Sequence, residues 1–353
     1  MKFKFDPNQE YQIQAINSVV DCFDGQEKTT EQTIAGAGLF GIYPNVLTLS
    51  PEEVRENIKK IKLQNNIEET KNSIKFNEPE VAYDNPDYTF DGGYIGWKDI
   101  SVEMETGTGK TYVYLRTVFE LNQKYGWKKF IILVPSVAIR EGVIKTLKIT
   151  EDHFKELYAN TPFRFYEYQS KNISQVRHFA DSSVINIMVM TVGAFNKDAN
   201  VLYGFRDQMQ GEQPIEFIKK TNPILILDEP QNMEGEATKK ALENFNALFR
   251  LRYSATHKNL YNLIHQLTPY DAYQLGLVKK IEVFSVTDDE SGNSAPYMAL
   301  VEAKPAKTAS GIKAKTELAF MDDNGNRKIK PISLKKGDDL AEIVLEIFPL
   351  GYL

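Results

Sequence analysis

The run Glu105-Thr106-Gly107-Thr108-Gly109-Lys110-Thr111 constrains this chain more than any other feature. Before it, Ile100 to Glu103 form a β-prone stretch; after it, from Thr111 to Asn122, apolar residues recur at helical spacing (Val113, Leu115, Val118, Phe119). Strand, glycine loop and helix in that order are the context a phosphate-binding loop requires. Glycines let backbone N–H groups curl around phosphate oxygens without a Cβ clash. The helix N-terminus adds partial positive charge. Lys110 is expected to reach the β- and γ-phosphates and Thr111 to ligand Mg²⁺. ATP and Mg²⁺ are therefore the expected cofactors, with Thr106, Gly107, Thr108 and Gly109 completing the cradle. Met104 stands where such loops usually open with Gly or Ala, so the entry to the loop differs.

Two further segments suit the same chemistry. Pro223 to Leu227 is a continuous apolar run fit for a strand buried on both faces, and it ends in Asp228-Glu229. In open α/β sheets function collects at the carboxyl ends of strands. Asp228 is expected to hold the metal, directly or through water, and Glu229 to orient and deprotonate the attacking water. Leu251 to His257 follows a stretch, Ala237 to Phe249, that reads as helix. Its small hydroxyl residues Ser254 and Thr256 can hydrogen-bond the acidic segment and a moving partner domain. His153, His178, His257 and His265 show no ligand spacing, which argues against a zinc site.

These residues resemble superfamily 2 helicases and translocases, in particular the restriction (Res) subunit of type III restriction-modification enzymes, along nearly the whole chain. The fold this implies is an α/β, RecA-like P-loop NTPase lobe: a mostly parallel sheet with helices on both faces, followed by a small β-rich segment. Tyr11 to Ile16 looks like the family's glutamine motif, in which Gln12 would read the adenine edge. Val134 to Gly142 and Met190 to Lys197 resemble two backbone-contacting motifs. They nominate Ser136, Arg140, Thr191, Asn196 and Lys197 as contacts to nucleic-acid phosphates. Leu267 to Val278 resembles the family's passage from a first motor lobe toward a second. Gln231 departs from the wider superfamily pattern, where His or Asp is common, so the relay through Gln231, Ser254 and Thr256 differs in detail.

The resemblance implies the ATP-binding motor lobe of a DNA-stimulated ATPase, part of a type III endonuclease that cleaves DNA. Its partners would be duplex DNA and a modification (methyltransferase) subunit. Two alternatives stay open: a superfamily 2 helicase or repair translocase without nuclease, and a non-catalytic ATP-dependent interaction module. Glu229 counts against the last, because a pure switch has no need of a water-activating acid.

The alternation of apolar strands and amphipathic helices over 98–258 argues for the parallel sheet. The motor lobe is placed at 1–275, with 25–97 as an insertion holding a helix from Pro51 (Ser50 as N-cap) to about Asn65. Its polar turns, Asn77 to Glu80 and Asp84 to Asp87, read as loop. From 276 to 353 the pattern turns to β. Strands are expected at Lys280 to Val286, Tyr297 to Glu302 and Ala314 to Met321, with a hairpin signal at Asp322 to Asn326 and a helix over 340–348. Arg327 to Lys336 alternates basic and apolar residues, which fits either a phosphate-facing strand or a lysine-guarded edge. No second β/α lobe, arginine finger or nuclease segment follows Thr256, so the chain is expected to be an N-terminal fragment, weakly active alone.

With 42% hydrophobic and 25% charged residues the chain can build a sizeable core. Its apolar runs are too short to span a bilayer, no signal peptide is visible, and Cys22 is the only cysteine. A cytoplasmic location is expected. A net charge of −6 does not exclude a local basic track, because site charge and net charge are different quantities.

Overall fold

The computed structural model describes residues 5–30, 41–67, 89–90, 93–94, 97–197, 199–205, 211–278, 297–305, 312–321 and 327–335. The chain divides into two compact units, Met1–Lys280 and Ile281–Leu353.

The first unit is built on seven parallel strands: β1 (Asp99–Met104), β2 (Lys129–Val134), β3 (Phe163–Glu167), β4 (Ile185–Thr191), β5 (Ile224–Asp228), β6 (Arg250–Ser254) and β7 (Leu263–Leu267). Their order across the sheet is β3-β4-β2-β5-β6-β1-β7. All pairs are parallel, so every strand's carboxyl end lies along one edge. The central strands β2 and β5 are buried throughout, which is why they read as unbroken apolar runs.

Successive residues of a strand face opposite layers, and two separate cores result. Phe130, Ile132, Ile224 and Ile226 point into the layer holding α1 (Glu10–Val20), α2 (Pro51–Gln64), α3 (Lys110–Tyr125) and α4 (Val137–Leu157). Ile131, Leu133, Leu225 and Leu227 point into the layer holding α5 (Ser174–Asp181), α6 (Pro214–Lys219) and α7 (Glu236–Glu243). Each fully buried Leu or Ile is worth about 1.5–3 kcal/mol. Among the described residues no helix is long and apolar enough to cross a membrane.

Helix α2 begins as the sequence predicts. Ser50 and Glu53 exchange hydrogen bonds in a capping box, and Pro51 occupies the first turn. The helix read over Ala237 to Phe249 is shorter: α7 stops at Glu243, and Asn246 takes a left-handed φ of 50°. Asparagine tolerates that region better than most residues, and the turn returns the chain to β6. Strand β3 and the edge strand β7 were not foreseen. Arg164 in β3, and His265 and Gln266 in β7, interrupt the apolar runs that reveal buried strands. A final short helix, α8 (Pro269–Gln274), is capped by Thr268 with Asp271 reciprocating.

In the second unit β8 (Tyr297–Pro305), β9 (Ile312–Met321) and β10 (Arg327–Lys335) pair antiparallel in the order β8-β9-β10. The strand at Lys280 to Val286, the turn at Asp322 to Asn326, the helix over 340–348, and the loops at 77–80 and 84–87 lie outside the described residues.

Candidate nucleotide site

Strand β1 ends at Met104 and the chain turns at once through the glycine loop into α3. Gly107 and Gly109 hold φ of 84° and 91°, a region open to glycine at little cost. At Gly109 a second constraint applies: a Cβ would sit 2.7 Å from the Gln12 amide nitrogen. Gln12 is thus packed against the loop, its Nε2 donating to the Thr108 carbonyl at 3.2 Å. Tyr11 donates its hydroxyl to the same carbonyl at 3.1 Å. Thr106 donates its N–H to Glu105 Oε1 at 2.8 Å, and the Thr108 hydroxyl donates to the Glu105 carbonyl at 2.7 Å. Lys110 opens α3, with Thr111 next to it.

Strand β5 delivers the acids two strands away from β1, with β6 between. Strand spacing is about 4.8 Å, so the gap is bridged by side chains. The Lys110 ammonium crosses it, lying 3.3 Å from Glu229 Oε1 while also reaching the Met104 carbonyl at 3.4 Å. Glu229 itself has a left-handed φ of 55°, unusual for a residue with a Cβ. That conformation costs of order 1–3 kcal/mol and turns the carboxylate back over the edge. Its other oxygen accepts from Gln231 Nε2 at 2.6 Å and lies 3.1 Å from the Ser254 hydroxyl. Ser254 also lies 2.8 Å from Gln231 Oε1 and accepts the Thr256 N–H at 3.1 Å. Burial pushes the Glu229 carboxyl up, but the Gln231 hydrogen bond, the Lys110 charge and Ser254 together hold it below the usual carboxylate range. It is ionised at neutral pH.

Asp228 is the opposite case. It is 5% exposed and accepts the Tyr114 hydroxyl at 3.1 Å. Burial and then the Glu229 charge push its carboxyl up to about 6, against the smaller downward pull of Tyr114 and Lys110. Tyr114 stands three residues along α3 from Thr111, and its hydroxyl donates to Asp228. The helix that carries one expected metal ligand thus supplies the phenol that holds the other. The sequence shows Tyr114 only as another buried residue of an amphipathic helix.

The nucleic-acid candidates fall on the same edge but on β2 and β4. Ser136 caps α4, its hydroxyl accepting the Ile139 N–H at 3.4 Å. Arg140 lies 2.8 Å from Glu167 Oε1, at the end of β3, and 3.1 Å from Glu141. Thr191 ends β4. Lys197 is exposed, its N–H donating to Asn200 Oδ1 at 2.7 Å, and Asn196 is half-buried. Glu167 had no mark in the sequence.

The residues present fit a Mg·nucleotide. The loop backbone is already left-handed at two glycines, and open space lies where a Gly107 Cβ would be. A lysine and a hydroxyl stand at the helix start, and a buried carboxylate, Asp228, lies at the same edge, held by Tyr114. Hard oxygen donors of this kind suit Mg²⁺.

A parallel sheet that brings a Gly-Thr-Gly-Lys-Thr loop and two carboxylates to one edge defines a P-loop nucleotide-binding lobe of the RecA-like type. The chain belongs to the family of type III restriction enzyme res subunits, whose profile matches residues 6–259. It is 30% identical over 300 residues to the type III restriction-modification enzyme EcoPI Res subunit of Escherichia phage P1, covering 79% of this chain and 29% of that protein. It is 34% identical over 203 residues to the EcoP15I Res subunit of Escherichia coli, covering 52% of this chain and 21% of that protein. The chain thus spans less than a third of the length of these curated relatives. Among solved structures it is similar to a Sulfolobus solfataricus SWI2/SNF2 ATPase core in complex with dsDNA, at 14% identity and TM-score 0.32 over 61% of this chain and 33% of that one. It is also similar to a nuclease-deletion mutant of the type ISP enzyme LlaGI, at 16% identity and TM-score 0.33 over 50% and 18%.

Proposed function

We propose that this chain is the ATP-binding lobe of a DNA-stimulated motor within a type III restriction endonuclease. The observation that carries the reading is the meeting of Lys110 and Glu229 at 3.3 Å above the strand that carries Ser254. A phosphate-binding lysine, a water-activating acid and a coupling hydroxyl share one cluster.

In the proposed reaction Lys110 turns from Glu229 to the β- and γ-phosphates, and the loop N–H groups hold phosphate oxygens. Thr111 and Asp228 would hold Mg²⁺, which when bound supplies charge neutralisation at those oxygens. Glu229, released from Lys110 but still oriented by Gln231 and Ser254, takes a proton from water. The water oxygen bonds the γ-phosphorus as the bond to the ADP oxygen breaks, leaving ADP and phosphate. Ser254 touches both Glu229 and Gln231, so loss of γ-phosphate is felt at Thr256 through the same hydroxyl. Gln12, with its amide already on the loop, would report adenine to the cradle.

Duplex DNA is the proposed track, met through Ser136, Arg140, Thr191, Asn196 and Lys197, and a modification subunit is the proposed partner in the cytoplasm. A second motor lobe supplies an arginine finger, worth on the order of 10³–10⁵ in rate. The isolated chain should therefore bind Mg·ATP and turn it over slowly. The test is ATP hydrolysis with and without duplex DNA, beside Glu229→Gln. Nucleotide binding that survives the substitution while turnover disappears supports the reading. A chain that binds no nucleotide refutes it.

A further inference from the structure

The three-stranded sheet of the second unit places positive charge where sheet stability does not call for it. Lys313, on the central strand β9, stands directly opposite Lys304 of β8 and Lys335 of β10. Like charges directly opposite one another destabilise a sheet. Lysines often guard free strand edges against pairing, and that accounts for Lys328 and Lys330 on β10, an end strand of this sheet. It does not account for Lys313, because β9 is hydrogen-bonded on both sides and has no edge to guard; Lys315, two residues on, stands opposite Glu302.

Lys313 and Lys315 are exposed, while Thr316 and Leu318 on the other face are buried. The lysine row therefore lies on the outward face. Glu302 pairs with Lys304 at 2.7 Å, but both side chains are largely exposed and the pair is worth little. By register that face carries Lys304, Lys313, Lys315, Arg327 and Lys335 against Glu302 and Glu317, while Lys328 and Lys330 fall on the other face, in a chain of net charge −6. The remainder of the chain is more acidic than the whole, whereas this face carries net positive charge.

The spacing suits a phosphate backbone. Neighbouring strands lie about 5 Å apart and alternate residues along a strand about 7 Å apart. A duplex carries one charge per about 1.7 Å of its axis, so several phosphates fall within reach of the row. The strands contain no Asn or Gln to read adenine edges, and Arg327 is their one arginine. Protein interfaces deplete lysine and centre on aromatic and arginine anchors, so a lysine row fits nucleic acid better than a protein face.

We propose that the outward face of β8, β9 and β10 is a phosphate-backbone track for duplex DNA, gripping it without reading its sequence. This rests on the motor reading and adds to it a contact outside the nucleotide lobe.

The test measures duplex binding by the full 353-residue chain as salt is raised. One variant carries Lys304→Gln, Lys313→Gln and Lys315→Gln. A control carries Lys59→Gln, Lys60→Gln and Lys148→Gln, the same charge change at exposed positions of the first unit. Each lost phosphate contact lowers the slope of log K against log salt by about 0.9. The sheet variant should therefore lose about 2.7 from the slope and bind at least roughly tenfold more weakly at low salt. The control should match wild type, and nucleotide affinity should hold in both. Equal slopes for the two variants overturn the proposal. So does a sheet variant that keeps DNA but loses a purified modification subunit. A tenfold preference among duplexes of unrelated sequence, abolished in the sheet variant, would overturn the absence of readout. Wild type that binds nucleotide but no duplex sinks the motor reading itself, and with it this extension.

Discussion

The two halves of one sheet edge are assembled by different means. On β1, β5 and β6 the polar groups interlock across long stretches of chain: Lys110 meets Glu229, Tyr114 meets Asp228, and Ser254 meets Glu229 and Gln231. On β2 and β4 the contacts are largely local. Ser136 serves as a helix cap, Lys197 shares a turn with Asn200, and only Arg140 reaches across, to Glu167. A site that must hold one compact ligand in one geometry profits from mutual restraint. On the proposed reading the second half meets a repeating backbone, which separate, weakly tied contacts would suit. Carboxylates occupy both lysine and arginine for now, Glu229 on one side and Glu167 on the other.

The largest effect expected on the interlocked half is catalytic. Glu229→Gln keeps the hydrogen-bonding shape but removes the base, and should cut turnover by about 10²–10⁴ with nucleotide affinity near wild type. Single-turnover hydrolysis beside a binding titration checks it, and loss of affinity in step with turnover would break the assignment.

Next comes a structural prediction on the same half. Arg252 lies on β6 two residues before Ser254 and donates to Glu234 at 2.7 Å. Asn259 donates to the other oxygen of Glu234. Their side chains are 7% and 5% exposed for the arginine and the acid. This clamp ties the segment after the acids to the segment after Ser254 and Thr256. Glu234→Ala leaves a buried guanidinium short of a partner and should cost about 3–5 kcal/mol in urea unfolding. A loss below about 1 kcal/mol would show that Asp99, 3.6 Å from Arg252, compensates.

The third prediction concerns pH. The Asp228 carboxyl titrates near 6 when folded against 3.8 ordinarily. Between those values the folded chain holds a proton that the unfolded chain has lost. The stability this contributes is complete below the ordinary value and is lost as pH rises through 6. Metal needs the ionised form, so Mg·nucleotide affinity should fall as pH drops below about 6. Tyr114→Phe removes a hydrogen bond that lowers this pKa, and should move the fall to higher pH. Titrating affinity against pH for both proteins decides it.

The smallest effects belong to the looser half. Glu167→Gln leaves Arg140 only the exposed Glu141 as a partner and should raise duplex affinity a few-fold, with nucleotide affinity unchanged. Weaker binding instead would make Glu167 a holder of Arg140 rather than its competitor. Ser136→Ala should cost about 1 kcal/mol, as loss of a helix cap does.

What was legible in the sequence follows a pattern. The glycine loop, the buried strand ending in Asp228-Glu229 and the cap of α2 depend on residues close in the chain, and local spacing displays them. Strands β3 and β7 escaped because Arg164, His265 and Gln266 break the apolar runs. Tyr114, Glu167, Glu234 and Asn259 escaped for a different reason, since their partners stand elsewhere in the chain.

The sequence alone determined the class of lobe, because a parallel sheet with a phosphate loop needs two glycines, one lysine and a buried apolar strand in a readable order. The tertiary structure decided how the acids behave. Asp228 and Glu229 are adjacent in the chain and chemically alike, yet burial raises one while Gln231, Lys110 and Ser254 lower the other. Electrostatic environment depends on distance in space and on exclusion of water, and neither is written in the order of residues.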